Sequence, residues 1–256
     1  YLQLLDKVAI VSDTQESVDK YGKASEMKYQ MAKRAKELKR DLESSLTQRN
    51  AGTAGVAASA SLMASLESWL GITSSALTVG GVNGTSIGTG TTGQTTPGFT
   101  AANGVPVVAP TDSTVAGTLT EAVLKSCIAA TWTQGGDPKI ILCGALVKQK
   151  ISTAFSGIAT RFRDVQAGQR AQIIGGADLY VSDFGTHTIR ASRFMRSSVL
   201  FGIDPDNVGV AYLQPFSQFE IARTGHAEKR AIRVSATLVV QNSFAHFKIC
   251  DIDGAL

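Results

Sequence analysis

Hydrophobic residues recur at steps of three and four from residue 24 to residue 46, which predicts one long amphipathic helix. At about 100° per residue they fall in a single stripe, and the remaining surface of the helix is polar. The stripe contains Ala24, Met27, Met31, Ala35, Leu38, Leu42 and Leu46. Asn50 and Gly52 supply the stop expected after such a helix. A shorter helical pattern covers residues 61–70.

Before and after these helices the pattern predicts short strands and two further helices. Residues 4–11 (LLDKVAIV) predict a β-strand, and the following SDTQES predicts a turn that ends it. The sequence TLTE is a capping box with Thr118 as N-cap and Glu121 at the third helical position, and it opens a helix to about Trp132. The sequence KIILCG then predicts a buried strand, and ALVKQKISTAF predicts a helix behind it.

The last 80 or so residues predict a mainly β region with four strands: DLYVSDF, HTIRAS, VGVAYL and AIRVSATLVVQN. The last of these alternates between two kinds of side chain. One face carries Ile232, Val234, Ala236, Leu238 and Val240, and the other carries Arg233, Ser235, Thr237 and Gln241. Such alternation is typical of an antiparallel sheet with one face toward solvent or a partner. The whole pattern predicts an α+β fold.

A long uncharged tract interrupts this pattern. No residue from Ser68 to Thr111 carries a charge, and most of the tract is Gly, Thr, Ser and Asn. Such a composition cannot bury enough apolar area to fold alone. It is either a flexible linker or a segment that lies flat against a neighbouring surface. The absence of charge favours the second interpretation, with backbone hydrogen bonds made to another chain.

The net positive charge of the chain is concentrated on the long helix. Residues 20–49 contain nine Lys or Arg and four Asp or Glu, whereas the formal net charge of the whole chain is +4. This segment indicates either non-sequence-specific attraction to phosphate or a solvated face beside acidic neighbours. A helix that reads bases would carry more aromatic or amide side chains among its cations.

The segments whose letters match catalytic or cofactor-binding motifs lack the neighbouring secondary structure or ligands that those motifs require. Gly88-x-Gly90-x-x-Gly93 has the letters of a dinucleotide fingerprint, but no strand precedes it and Pro97 follows where a helix must begin. The sequence DIDG opens like a calcium loop, but the printed chain ends before the remaining ligands. We therefore expect no enzyme activity, no metal site and no cofactor.

The sequence also bears on glycosylation, on the state of the cysteines, on membrane spans and on targeting. Asn83-Gly84-Thr85 is a glycosylation sequon, although Asn-Gly more commonly marks a turn. The three Cys and three His are scattered, and we expect buried reduced thiols. No run of eighteen apolar residues predicts a membrane span. The start lacks an initiator Met and a basic region, so we expect no signal peptide and upstream residues that were cleaved or are absent.

Six stretches, in order, resemble the major capsid proteins of tailed bacteriophages, which have the Hong Kong 97-type shell fold. The resemblance covers nearly the whole chain except the Gly/Thr tract. The stretches are YLQLLDKVAIVSDTQESVDKYGKASE, MAKRAKELKRDLESSL, TWTQGGDPKIILCG, DLYVSDFGTHTIRASRFM, DPDNVGVAYLQPF and ARTGHAEKRAIRVSATLVVQN. The resemblance implies a long spine helix, peripheral-domain antiparallel strands, an axial domain and an extended loop.

The same resemblance implies a division of the chain. Family members carry an N-terminal arm and the first half of the extended loop ahead of this helix. The implied segments are the end of the extended loop (1–21), the spine helix with part of the peripheral domain (22–70), a Gly/Thr insertion (71–118), a mainly axial region with peripheral segments (119–230) and the long returning strand (231–256).

The resemblance also gives roles to particular side chains. It implies that Met27, Met31, Leu38 and Leu42 pack on the peripheral-domain sheet. On the opposite face, Lys33, Lys36 and Arg40 are candidates to meet packaged double-stranded DNA non-specifically or to pair with acids of the next subunit. The implied partners are other copies in pentamers and hexamers, DNA, and portal, scaffold or decoration proteins, with no membrane. The implied place is the virion capsid, assembled in the cytoplasm of a bacterial host.

Three other functions stay open from the sequence. An encapsulin-like bacterial compartment shares the fold but encloses enzymes. A basic DNA-binding protein would act as a monomer or dimer and bind duplex with a steep salt dependence. A secreted adhesin domain would use the Thr/Gly tract and carry a glycan on Asn83. The motif order and the Gly/Thr insertion favour the phage shell, and sedimentation separates a megadalton particle from a small binder.

Overall fold

The computed structural model describes residues 1–19, 21–70, 83–88, 106–107, 109–154 and 178–253. Most of the Gly/Thr tract, including Gly90 and Gly93 of the glycine motif, lies outside these residues. The described helices are α1 Asp13–Ser17, α2 Glu26–Thr47, α3 Leu66–Trp69, α4 Glu121–Thr133 and α5 Ala145–Ala154, with a 3-10 helix at Ser243–Ala245. The described strands are β1 Gln3–Ser12, β2 Asn83–Ser86, β3 Ile140–Cys143, β4 Leu179–Ser182, β5 Gly185–Ala191, β6 Leu200–Ile203, β7 Val208–Ile221, β8 Ala227–Val240 and β9 Phe247–Cys250.

The strands form two sheets. The first has the order β1-β8-β7 and is antiparallel throughout, and it joins the beginning of the chain to its end. The second has the order β2-β9-β6-β3-β5-β4. In it β2 runs parallel to β9 and β3 runs parallel to β5, while the other pairs are antiparallel. The predicted α+β class is confirmed.

In the described part of the chain, three apolar clusters hold these layers together. One lies between α2 and the three-stranded sheet, and one lies between α4, α5 and the six-stranded sheet. The third joins α3 to both sheets and contains Leu66, Leu70, Met195, Val199, Phe201, Leu238 and Cys250. Because this third cluster draws on β8, β6 and β9 together, it ties the two sheets to each other.

Helix α2 forms where the hydrophobic periodicity predicted it. Ser25 is its N-cap and its hydroxyl accepts a hydrogen bond from the Lys28 backbone N–H at 3.3 Å. An N-cap of this kind satisfies one of the amide groups that a helix start leaves unpaired. The helix ends at Thr47, and Gln48 has extended backbone angles. The prediction of one long helix is confirmed.

Two predicted helix starts are wrong. The pattern at 61–70 forms only the short helix α3, because Leu62 instead exchanges two backbone hydrogen bonds with Thr53, both at 3.0 Å. The capping box at Thr118 is not formed, since α4 begins at Glu121 after Thr120 as N-cap. The Glu121 carboxylate binds Lys125 at 2.9 Å and so is drawn away from the helix start.

Three of the described strands, β2, β6 and β9, were not predicted, and β7 is longer than expected. The Asn83-Gly84 turn prediction is wrong, since these residues open β2. In β6, Gly202 lies so close to the Phe247 ring that a Cβ there would come within 1.9 Å of it. Strand β7 runs through Pro215, with register shifts between Tyr212 and Gln214 and between Gln214 and Ser217. A proline is tolerated there because β7 is an edge strand.

Asp251 fastens the described parts of the Gly/Thr tract to β9. Its carboxylate accepts hydrogen bonds from the Ser86 hydroxyl, from the Ser113 backbone N–H at 2.8 Å and from the Ser113 hydroxyl at 2.9 Å. Asp251 has a left-handed backbone, with φ of 59°, and is buried. This part of the tract therefore lies on the sheet of its own chain.

Asp251→Ala should lower the free energy of unfolding by about 3 kcal/mol, because it removes the buried, charged acceptor of three hydrogen bonds. It also places Ala in a backbone region that Asp and Asn tolerate better. Ser113→Ala, which keeps the Ser86 contact and the backbone bond, should cost about 1 kcal/mol. Urea unfolding of both variants measures the difference. Equal small losses would show that Asp251 does not fasten the tract.

Candidate functional site

One face of α2 is buried against the three-stranded sheet. Leu38 is fully buried, and Met27, Met31 and Leu42 are each exposed by 6% or less. They pack in one cluster with residues of β1 and β8, among them Ala9, Val11, Ile232, Val234 and Ala236. Burial of each such side chain contributes about 2 kcal/mol. The structure places all four residues of the predicted packing set in this layer.

The opposite face of α2 carries exposed cations. Lys33, Lys36 and Arg40 are all exposed, and the Lys33 ammonium lies 4.4 Å from the centre of the Tyr29 ring. None of the described carboxylates lies within ion-pair distance of these three cations. The structure therefore brings the three predicted cations together on one solvent-facing surface, which we call the cationic face.

The acidic residues Glu37 and Asp41 of α2 form ion pairs along a different edge of the helix. Asp41 pairs with Lys7 of β1 at 2.8 Å, and Glu37 pairs with Arg34 at 2.7 Å. The hydrogen bond and charge of Asp41 raise the pKa of Lys7 above its ordinary value. Because these acids neutralise cations next to β1, they do not neutralise the cationic face.

A Ser–His contact in the hairpin of β4 and β5 is structural. The Ser182 hydroxyl lies 2.7 Å from Nε2 of His187, and Nδ1 of His187 lies 2.6 Å from the Pro138 carbonyl oxygen. His187 is buried, so these bonds hold the hairpin to the segment before β3.

The cysteines are buried free thiols, as the sequence predicted. Burial raises the pKa of Cys127 to about 12 and that of Cys143 to about 11. A thiol with so high a pKa is a poor nucleophile at neutral pH. Among the described residues, no group of three or more His, Cys, Asp or Glu side chains could hold a metal ion. None of the described helices has the length and hydropathy needed to cross a membrane.

A family model described as "SU10 major capsid protein" matches residues 1–253. The chain belongs to the SU10 major capsid protein family. Members of this family are structural proteins of the virion capsid, in which many copies assemble into a shell. The resemblance inferred from the six stretches is confirmed, and capsid proteins of this kind are not enzymes.

Solved structures similar to this family member show the same fold. The capsid asymmetric unit of cyanophage A-1(L) is 12% identical with a TM-score of 0.64, covering 98% of this chain and 77% of that chain. The SrpI encapsulin of Synechococcus elongatus is 11% identical with a TM-score of 0.60, covering 100% and 75%. The capsid of Myoviridae phage XM1 is 11% identical with a TM-score of 0.53, covering 98% and 74%. None of the curated proteins matches the sequence.

Proposed function

We propose that copies of this capsid protein form pentamers and hexamers of an icosahedral shell around double-stranded DNA, with the cationic face of α2 directed inward. The buried stripe then packs on the sheet and stabilises each subunit, while the cationic face contacts the phosphates of the packaged genome. The observation that carries this proposal is the exposure of Lys33, Lys36 and Arg40 without carboxylate partners among the described residues. Such contacts are independent of base sequence and sensitive to salt.

The two sheets correspond to the two domains of such a shell protein. The three-stranded sheet with α2 corresponds to a peripheral domain, and the six-stranded sheet corresponds to an axial domain. Residues 1–21 end an extended loop and enter the three-stranded sheet through β1, residues 71–118 are an insertion, and residues 231–256 return to the axial domain. Portal, scaffold or decoration proteins are further partners of such a shell, and assembly takes place in the cytoplasm of the bacterial host.

An encapsulin-like compartment is the second candidate. The similarity to the SrpI encapsulin, with a TM-score of 0.60 over the full length of this chain, favours it. Both candidates use the same fold, so they differ in what the particle encloses. Particles isolated from the natural source should contain duplex DNA under the first proposal and a cargo enzyme under the second.

Replacing Lys33, Lys36 and Arg40 together with Gln should leave empty shells intact and weaken DNA binding. Each lost phosphate contact should reduce the slope of log K against log salt by about 0.9, so the total loss should be about three. The measurement is filter binding of duplex DNA to the subunit, together with the DNA content of purified particles.

The matched control removes cations that are already paired. Lys7, Lys23 and Arg34 lie next to Asp41, Glu26 and Glu37 respectively. Their triple Gln variant removes the same charge but should change the salt slope much less. If the first variant instead fails to form empty shells while the control assembles, the cationic face pairs with protein rather than DNA.

A further inference from the structure

A second positively charged site lies at the end of α2. A cavity of about 500 Å³ opens there, lined by Gln48, Arg49, Asn50, Asp112, Arg193, Phe194, Met195 and Arg196. We call it the arginine pocket. Its lining contains three guanidinium groups and one carboxylate. The three arginines come from the helix end and from the loop between β5 and β6.

The single carboxylate in this lining is already shared. One oxygen of Asp112 accepts a hydrogen bond from Arg49 Nη1 at 3.1 Å, and both oxygens accept from Arg196 Nη2. Arg196 also binds Glu67 at 2.6 Å, behind the pocket. Two of the three arginines are therefore oriented by acids, which fixes the positions of their remaining N–H groups.

Arg193 has no such partner among the residues that the structure describes. It is exposed, and no described carboxylate lies within ion-pair distance of it. The nearby Glu43 accepts a hydrogen bond from the Ser192 hydroxyl at 3.0 Å. Arg193 therefore contributes a positive charge that this part of the chain does not neutralise.

The adjoining tract cannot supply the missing acid. The Gly52 amide donates to the Pro106 carbonyl at 2.8 Å, so the tract returns to the chain near the end of α2. Residues 68–111 contain no charged side chain, so this tract has no carboxylate that could pair with Arg193.

We propose that the arginine pocket binds a phosphate oxyanion, and that phosphodiester groups of the enclosed DNA supply it. The planar fork of arginine matches phosphate oxygens in two parallel hydrogen bonds, which a lysine cannot do. The pocket is concave, and ion pairs hold Arg49 and Arg196 in place before a ligand binds. The inference rests on the proposed DNA-filled shell and adds a fixed phosphate site to the diffuse attraction of the cationic face.

Arg193→Gln in the full-length chain tests this site with a short duplex DNA of random sequence. The slope of log K against log salt should fall by about one, since one phosphate contact is lost. The control is Arg223→Gln, an exposed arginine between β7 and β8 that lies 3.8 Å from Asp13. This control should leave the slope unchanged. An unchanged slope in Arg193→Gln would overturn the inference.

Inorganic phosphate separates the sources of the oxyanion. Equilibrium dialysis should show phosphate bound by the natural sequence and lost in Arg193→Gln. Phosphate binding that depends on Arg193, with no change in the duplex slope, would mean that the pocket takes free phosphate and would overturn the DNA assignment. Poor shell assembly by Arg193→Gln with unchanged phosphate and duplex binding would mean that Arg193 pairs with a carboxylate of a second copy, and it would also overturn the inference.

The failure of this inference is distinguishable from failure of the proposed function. If the Lys33, Lys36 and Arg40 variant lowers the salt slope while Arg193→Gln does not, the assignment of α2 to the DNA-facing surface is supported. The assignment of the arginine pocket is then rejected. If the natural sequence binds no duplex at all, the proposed function falls, and with it the DNA assignment of the pocket.

Discussion

Replacement of Leu38 and Leu42 by Asp abolishes particle formation in our account. Both side chains lie in the apolar cluster between α2 and the three-stranded sheet, where Leu38 has no exposed surface. Two carboxylates placed there would lose their hydration without gaining a partner, at a cost of several kcal/mol each. A folded domain is stable by only about 5–15 kcal/mol. We expect loss of the cooperative unfolding transition and no closed particles in negative stain.

A matched control places two aspartates on the same helix, outside the cluster. Lys36→Asp with Arg40→Asp changes exposed positions, so folding and empty shells should persist. Leu38→Met keeps the side-chain volume and should cost less than about 1.5 kcal/mol. Normal particles from the Leu38 and Leu42 double variant would refute the bracing role of the buried face.

Removal of the Glu67 carboxylate has the second largest expected effect. Glu67 is buried, its carboxylate lies 2.6 Å from the Arg196 guanidinium, and its backbone carbonyl accepts a hydrogen bond from Lys248 at 3.0 Å. Lys248 is fully buried; burial lowers its pKa, while the negative charge of Glu67 acts in the opposite direction. Glu67→Ala would remove the buried carboxylate that pairs with Arg196 and lies near Lys248, and we expect the free energy of unfolding to fall by about 3–5 kcal/mol.

Asp112→Ala is the control for this prediction, because it removes the other carboxylate from the same arginine. The Asp112 side chain is 44% exposed, whereas that of Glu67 has no exposed surface. Exposed ion pairs contribute about 0–1 kcal/mol, so this variant should unfold at nearly the denaturant concentration of the natural sequence. Urea unfolding of both variants measures the two losses in the free energy of unfolding. Similar losses would mean that burial of Glu67 does not set the strength of its contacts.

The sequence predicted the elements whose pattern is long. Helix α2 has 22 residues, so its apolar stripe repeats often enough to be recognised, and β8 alternates over most of its length. Strands β2, β6 and β9 have four residues each and were not predicted, whereas β3 and β4 are equally short but lie in the segments KIILCG and DLYVSDF, which the sequence predicted as strands. The place of β2, β6 and β9 depends on tertiary contacts, such as the Phe247 ring against Gly202 and the Asp251 carboxylate on Ser86 and Ser113.

The candidate site was predictable to a similar degree. Helical periodicity separates the buried stripe from the exposed Lys33, Lys36 and Arg40 without any structure. The pairing of charges is not predictable in this way, because Lys7 and Asp41 meet only when β1 packs beside α2. The arginine pocket combines residues from segments far apart in the chain, which no local pattern reveals.

A cryo-EM reconstruction of DNA-filled particles assembled from the full-length gene product tests the central claim most directly. We expect α2 to lie at the inner surface of a closed shell, its apolar edge on the three-stranded sheet and its cationic face toward the DNA density. A closed shell in which Lys33, Lys36 and Arg40 face the outer solvent would contradict the account, and so would a subunit whose helix α2 is detached from the sheet.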